Sequence, residues 1–227
     1  MKVKFHGHSV VSLETDAGTK ILIDPFITGN PTTDLVADTV TPDVILLTHA
    51  HDDHLGDTVE IAKRTGALVV ATFELCAYLN TKGIENYHPM QPGGAHQFDF
   101  AKIHQVQAIH GSSVFENGQS IGLGLATGFI IEADGQTVYH LGDTALFSDL
   151  KMIGDLFAID LAFIPIGDNY TMGPDHAVFA AEWLQAKRVV PIHYNTEAFI
   201  EQDADAYISR LEANVGIIPD IGQEIPF

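Results

Sequence analysis

Thr48-His49-Ala50-His51-Asp52-Asp53-His54-Leu55-Gly56-Asp57 sets three histidines and two aspartates within six consecutive positions. It follows the unbroken apolar run Val44-Ile45-Leu46-Leu47, which reads as a strand buried on both faces. Imidazole nitrogen and carboxylate oxygen suit zinc, manganese or iron, and two such ions need about this many donors. In extended chain His49 and His51 point to one side, so both can reach one ion. As the loop turns toward a helix expected over 58–64, Asp53 and His54 can face a second ion. A polar loop that merely caps the helix is the plainer reading, but capping has no need of three histidines.

Two ions require further ligands, and each should lie where a strand gives way to a loop. His110 follows Ala108-Ile109, Asp143 follows Tyr139-His140-Leu141-Gly142, and His193 follows Val189-Val190-Pro191-Ile192. A carboxylate can bridge two cations, which suits Asp143 as the shared ligand. His110 then completes the first site and His193 the second.

Around these positions the chain alternates short β-branched runs with helical stretches, without linker or low-complexity tract. Strands are expected at 3–5, 10–13, 20–23, 44–47, 67–71, 103–109, 128–133, 137–141, 160–166, 188–192 and 215–218. Helices are expected at 58–64, 74–82, 147–156, 174–185 and 203–213, with Pro174 as a first helical residue. Two β-rich halves, each with added helices, predict two sheets packed face to face with helices outside. That is a four-layer αββα sandwich of the α/β class, formed by residues 1–227 as a single domain.

Composition narrows the partners. Eleven Lys+Arg stand against 30 Asp+Glu, a formal net charge of -19 in 227 residues. After residue 103 the balance is four basic residues to seventeen acidic ones. Duplex nucleic acid and anionic membrane surfaces both call for a basic face, so neither is an expected partner. Cys76 is the only cysteine, which excludes an intrachain disulfide and a cysteine-based zinc cluster. Without a signal-peptide-like start or a bilayer-length apolar run, a cytoplasmic location is the expectation.

His49-Ala50-His51-Asp52-Asp53-His54 matches the His-x-His-x-Asp-His signature of the metallo-β-lactamase superfamily, and His110, Asp143 and His193 follow in that superfamily's order. Gly7-His8-Ser9, Leu22-Ile23-Asp24-Pro25, His140-Leu141-Gly142-Asp143-Thr144 and Pro165-Ile166-Gly167-Asp168 resemble one branch of it more narrowly. So do Tyr170-Thr171-Met172-Gly173-Pro174 and Pro191-Ile192-His193-Tyr194-Asn195. That branch holds bacterial and archaeal metal-dependent hydrolases related to ascorbate 6-phosphate lactonase. The resemblance covers essentially the whole chain. It implies a metallo-β-lactamase-like domain with two divalent ions, zinc first and manganese or iron as alternatives. His49, His51 and His110 would hold one ion, Asp53, His54 and His193 the other, with Asp143 between. A hydroxide bridging the pair would attack a carbonyl or phosphoryl centre. Asp53 and Asp143 are then the catalytic carboxylates, Asp53 with the option of relaying a proton.

The same resemblance gives Asp24 a supporting role beneath the ligand loop, where a simple turn residue is the alternative. His8 would line the site or donate to substrate, or else be an ordinary half-buried histidine. Tyr194 and Asn195 could offer donors to an oxyanion, or could serve their own loop. His176 departs from the branch's acidic residue, and a neutral substitution is the simpler reading. His140 reads as structural and Cys76 as a small core residue. The expected activity is hydrolysis of a small, even anionic, ester, lactone or phosphorylated metabolite. A nucleotide-type phosphodiesterase, or a metal-binding subunit or sensor without turnover, are the alternatives. The sequence leaves room for a homo-oligomer.

Overall fold

Val3, Val11, Ile21, Val44 and Val70 alternate with polar or oppositely facing neighbours, and each lies in a strand of one sheet. The computed structural model describes residues 1–227. Its first sheet comprises β1 (Lys2–Phe5), β2 (Val11–Glu14), β3 (Lys20–Ile23), β4 (Val44–Leu46), β5 (Leu68–Thr72) and β6 (Tyr87–Met90), in that spatial order. The first three run antiparallel; from β3 to β6 the pairing is parallel. The second sheet takes β7 (Ala95–Gln97), β8 (Lys102–Gln107), β11 (Thr127–Ala133), β12 (Gln136–His140), β13 (Leu161–Pro165) and β14 (Arg188–Ile192). Their order is β14-β13-β12-β11-β8-β7, and β9 (Ser113–Glu116) and β10 (Gln119–Gly122) form a separate hairpin.

Strand periodicity divides the apolar residues among three buried layers. Leu46, Ile23, Phe129, Phe163 and Val190 meet between the sheets. The alternate residues Ile45, Leu47 and Val69 point outward, against α2 (Thr58–Thr65) and α3 (Phe73–Thr81). On the other side Ile130, Ala162, Ile164 and Val189 pack against α4 (Asp149–Leu156), α5 (Pro174–Leu184) and α6 (Ala204–Ile208). The order helix, sheet, sheet, helix is the four-layer αββα sandwich expected. Cys76 is buried in the α3 layer, and that burial pushes its thiol up to about 12. No helix is long and apolar enough to cross a membrane.

Several local expectations are corrected. The loop after β4 contains a one-turn helix, α1 (Asp52–Leu55). Strand β6, strand β7 and the β9–β10 hairpin were not anticipated. The last helix stops at Ile208 rather than 213, and the strand expected over 215–218 reduces to a single bridge between Val189 and Gly216. Gly216 lies so close to Ile208 that a Cβ would fall 2.6 Å from that residue's Cβ, so the chain folds back instead of extending.

The loop end of the sandwich is tied together by backbone. Thr127 donates its N–H and its hydroxyl to the Thr48 carbonyl, at 3.0 and 2.8 Å, joining the two sheets beside the histidine-rich loop. Gly142 sits against this junction at φ +61, where a Cβ would lie 2.6 Å from the Thr127 oxygen. Gly56 ends α1 at φ +42, and a Cβ there would lie 2.3 Å from the Pro25 oxygen. Both positions require glycine.

Candidate metal centre

Asp24 follows β3, His49 follows β4, His110 follows β8, Asp143 follows β12 and His193 follows β14. The carboxyl ends of these strands meet at one end of the sandwich, where ligands bind in open α/β sheets. Three overlapping groups of donor atoms result, each within 4.8 Å: His49 with His51 and His110; His49 with His54 and Asp143; and His8 with Asp53, His54 and His193.

In the first group, His51 Nδ1 lies 3.1 Å from His49 Nε2 and 3.2 Å from His110 Nε2. Burial lowers the pKa of all three imidazoles, which favours the neutral form that carries a free lone pair. In the third group, Asp53 Oδ2 lies 3.4 Å from His193 Nε2 and 4.0 Å from His54 Nε2. Asp143 stands between. Its Oδ1 is 3.2 Å from His54 Nε2, and its Oδ2 is 3.0 Å from His193 Nε2 and 3.5 Å from His110 Nε2.

Burial opposes charge on His54 and His193, yet Asp143 and Asp53 outweigh it and raise both, His193 to about 9. For the carboxylates burial acts upward, and the neighbouring imidazoles overcome it and hold Asp143 and Asp53 well below the usual range.

The donor set fits divalent metal. Eight buried side-chain polar atoms in the chain have no hydrogen-bond partner, and four of them are His54 Nε2, Asp143 Oδ1 and both ring nitrogens of His193. His54 Nε2 and His193 Nε2 lie 3.2 and 3.0 Å from the Asp143 carboxylate without hydrogen-bond alignment. Buried polar atoms are rarely left without partners, and an ion bound among these four would satisfy them.

The supporting contacts are specific. Asp24 is fully buried at φ +47; its Oδ1 accepts from Thr48 N at 2.8 Å and its Oδ2 from Thr48 Oγ1 at 2.7 Å. The same Oδ2 accepts from His54 Nδ1 at 2.8 Å, which holds the ring so that an ion would take the place of the Nε2 proton. Thr48 Oγ1 also lies 3.0 Å from His49 Nδ1. Ser112 Oγ accepts from Ala50 N at 3.2 Å, anchoring the loop between His49 and His51.

The remaining candidates separate. His8 is buried beside Asp53. Tyr194 packs against the core layer under α5 and α6, and Asn195 spends its side-chain amide on the Gln202 backbone, at 3.1 and 2.7 Å. Neither side chain is brought to the centre. His176 is exposed on α5. His140 is structural: Nε2 donates to the Ser9 oxygen at 2.9 Å and Nδ1 accepts from Gly142 N at 3.1 Å. The sequence reading missed Thr196, whose Oγ1 lies 2.7 Å from His8 Nδ1. Its place three residues after His193 was the available signal.

Residues 2–193 match the family described as Beta-lactamase superfamily domain. The chain is 56% identical to the UPF0173 metal-dependent hydrolase of Shouchella clausii and 57% identical to that of a Geobacillus strain, in each case over 99% of both chains. Among solved structures, a metallo hydrolase of the archaeon Ignicoccus hospitalis superposes with a TM-score of 0.89 at 34% identity, covering 99% of this chain and 97% of that one. An isothiocyanate hydrolase from Delia radicum gut bacteria shares the fold, with a TM-score of 0.78 at 21% identity over 100% of this chain and 99% of that one. With the histidine-rich loop, the αββα layers and these relatives in agreement, the chain belongs to the metallo-β-lactamase superfamily and is one of its metal-dependent hydrolases.

Proposed function

We propose that His49, His51 and His110 hold one divalent ion, that Asp53, His54 and His193 hold another, and that Asp143 is shared. On this reading residues 1–227 act as one domain that hydrolyses a small ester, lactone or phosphorylated metabolite. The observation that carries it is the placement of Asp143, whose two carboxylate oxygens lie 3.0–3.5 Å from imidazole nitrogens of both groups. Such ions would supply polarisation of the attacked carbonyl or phosphoryl oxygen and a lowered pKa for bound water. Zinc is the first expectation for this nitrogen and oxygen set, with manganese and iron using the same donors.

The two carboxylates divide the remaining work by exposure. Asp143 has 2% of its side chain exposed and can only ligate. Asp53 has 40% exposed and stands at the open side with the half-buried His51, where a substrate enters. Asp53 is therefore the group placed to take a proton and deliver it to the leaving oxygen. Neutral histidines and only two carboxylates leave the loaded centre cationic within a chain of formal charge -19. A small anionic substrate suits that spot, whereas a long polyanion lacks a basic track beyond it.

The test is reconstitution. Metal-free protein titrated with zinc or manganese should gain activity up to two equivalents, measured on nitrophenyl esters, lactones, phosphomonoesters and a phosphodiester. Activity confined to the phosphodiester would replace the proposed substrate class. Two bound equivalents with no turnover on any of these would mark a binding protein instead.

A further inference from the structure

His8 is not one of the seven proposed ligands, yet it contacts Asp53, Thr196, Phe26 and His193. Its backbone takes φ +55, uncommon for a non-glycine residue, and its carbonyl accepts from His193 N at 2.7 Å. Gly7 before it, at φ +92, lies so close to Thr32 that a Cβ would fall 2.2 Å from that hydroxyl. The His8 ring is 4% exposed, with Phe26 edge-on at 5.4 Å between centroids and His193 at 4.2 Å. Its two nitrogens contact different loops: Nδ1 lies 2.7 Å from Thr196 Oγ1 and Nε2 lies 3.1 Å from Asp53 Oδ2.

Direction separates His8 from its neighbours. His54 and His193 also place Nε2 near a carboxylate oxygen, but without hydrogen-bond alignment. His8 Nε2 aligns on Asp53 Oδ2 as a donor does. A donor N–H points along the line to its acceptor. A bare Nε2 aimed at a carboxylate oxygen at this distance would oppose two lone pairs. The tautomer follows: Nε2 carries the proton, and Nδ1 accepts from the Thr196 hydroxyl.

We infer that Thr196, His8 and Asp53 form a hydrogen-bonded chain in which His8 is a positioning residue, holding the Asp53 carboxylate in the orientation that completes the second half of the centre. The hydroxyl of Thr196 sets the tautomer, the imidazole N–H fixes Asp53 Oδ2, and the His8 carbonyl fixes the backbone of His193. One residue thereby ties two of the three donors of that half together. The consequence for metal binding rests on the two-ion reading above; the tautomer does not.

Two measurements test it. In metal-free protein with 15N-labelled histidine, the His8 signals, identified by their loss in His8→Gln, should show a protonated Nε2 and an unprotonated Nδ1. The reverse tautomer overturns the inference. In zinc competition titrations, His8→Phe should weaken the second equivalent by about 10–100-fold and leave the first unchanged, the range for residues that orient metal ligands. His8→Gln, whose amide N–H can still reach Asp53, should recover most of that loss, and Thr196→Val should show a few-fold weakening. Wild-type affinity in His8→Phe, or equal losses in His8→Gln and His8→Phe, contradicts a positioning role. If His8→Phe does not fold, His8→Gln and Thr196→Val decide by the same comparison. If wild-type protein binds a single equivalent, the two-ion reading fails and the tautomer alone decides the role of His8.

Discussion

Asp143→Asn is expected to cut turnover by about a thousand-fold or more while the protein still folds. Asparagine keeps the shape of aspartate, so the buried loop after β12 has no steric reason to move. What it removes is the negative charge lying 3.0–3.5 Å from His193, His54 and His110. Charge stabilisation at a metal centre is worth several kcal/mol, and about 4 kcal/mol corresponds to roughly a thousand-fold in rate. Metal content should fall from two equivalents to one or fewer, measured by mass spectrometry on the same preparation used for kinetics. Two retained equivalents and more than a tenth of wild-type activity would show that Asp143 is not the shared ligand.

Asp24→Ala should have the largest effect on stability. Three hydrogen bonds converge on this fully buried carboxylate: Thr48 N, Thr48 Oγ1 and His54 Nδ1. Removing it strands those groups without water in reach, and losing one partner of a buried charged pair typically costs about 3–5 kcal/mol. For a chain of this size roughly 2–4 °C of melting temperature goes with each kcal/mol, so a fall of about 6–20 °C is expected. Thermal unfolding of the metal-free protein, followed by circular dichroism, measures it. Asp24→Asn retains an acceptor and tolerates the positive φ, so its loss should be smaller. A drop below about 2 °C for Asp24→Ala would mean that Asp24 is only a turn residue.

The part of the site legible in the sequence is the part that chemistry forces into sequence. Few structural demands put His49, His51 and His54 beside Asp53, so their density alone announced a metal loop. His110, Asp143 and His193 were legible because strands end where ligands can be held, and β-branched runs mark those strands. Asp24 became readable through the resemblance, and the structure shows the three bonds that explain it.

What escaped depends on tertiary contact. Helix α1 spans only Asp52–Leu55, too short to be stable by propensity, and is shaped by the packing of Gly56 against Pro25 and Phe26. Strand β6 contains Pro89 and strand β7 is exposed throughout, so neither shows the alternation that marks a strand. The hairpin of β9 and β10 did carry a signal, Asn117-Gly118, with both residues at positive φ. For Tyr194 and Asn195 the sequence left two readings open, because adjacency to His193 says nothing of direction, and Asn195 takes the loop-serving one. His193 at φ +56 and Asn195 at φ +57 turn the chain twice, while Tyr194 packs into the core layer and the Asn195 amide bonds the Gln202 backbone. The same turns bring Thr196 to His8.

Whether two ions share Asp143 can be seen by anomalous scattering from crystals grown with zinc. Two peaks are expected, one touching His49, His51 and His110 and the other touching Asp53, His54 and His193, with Asp143 reaching both. A single peak, or peaks away from these side chains, would contradict the account.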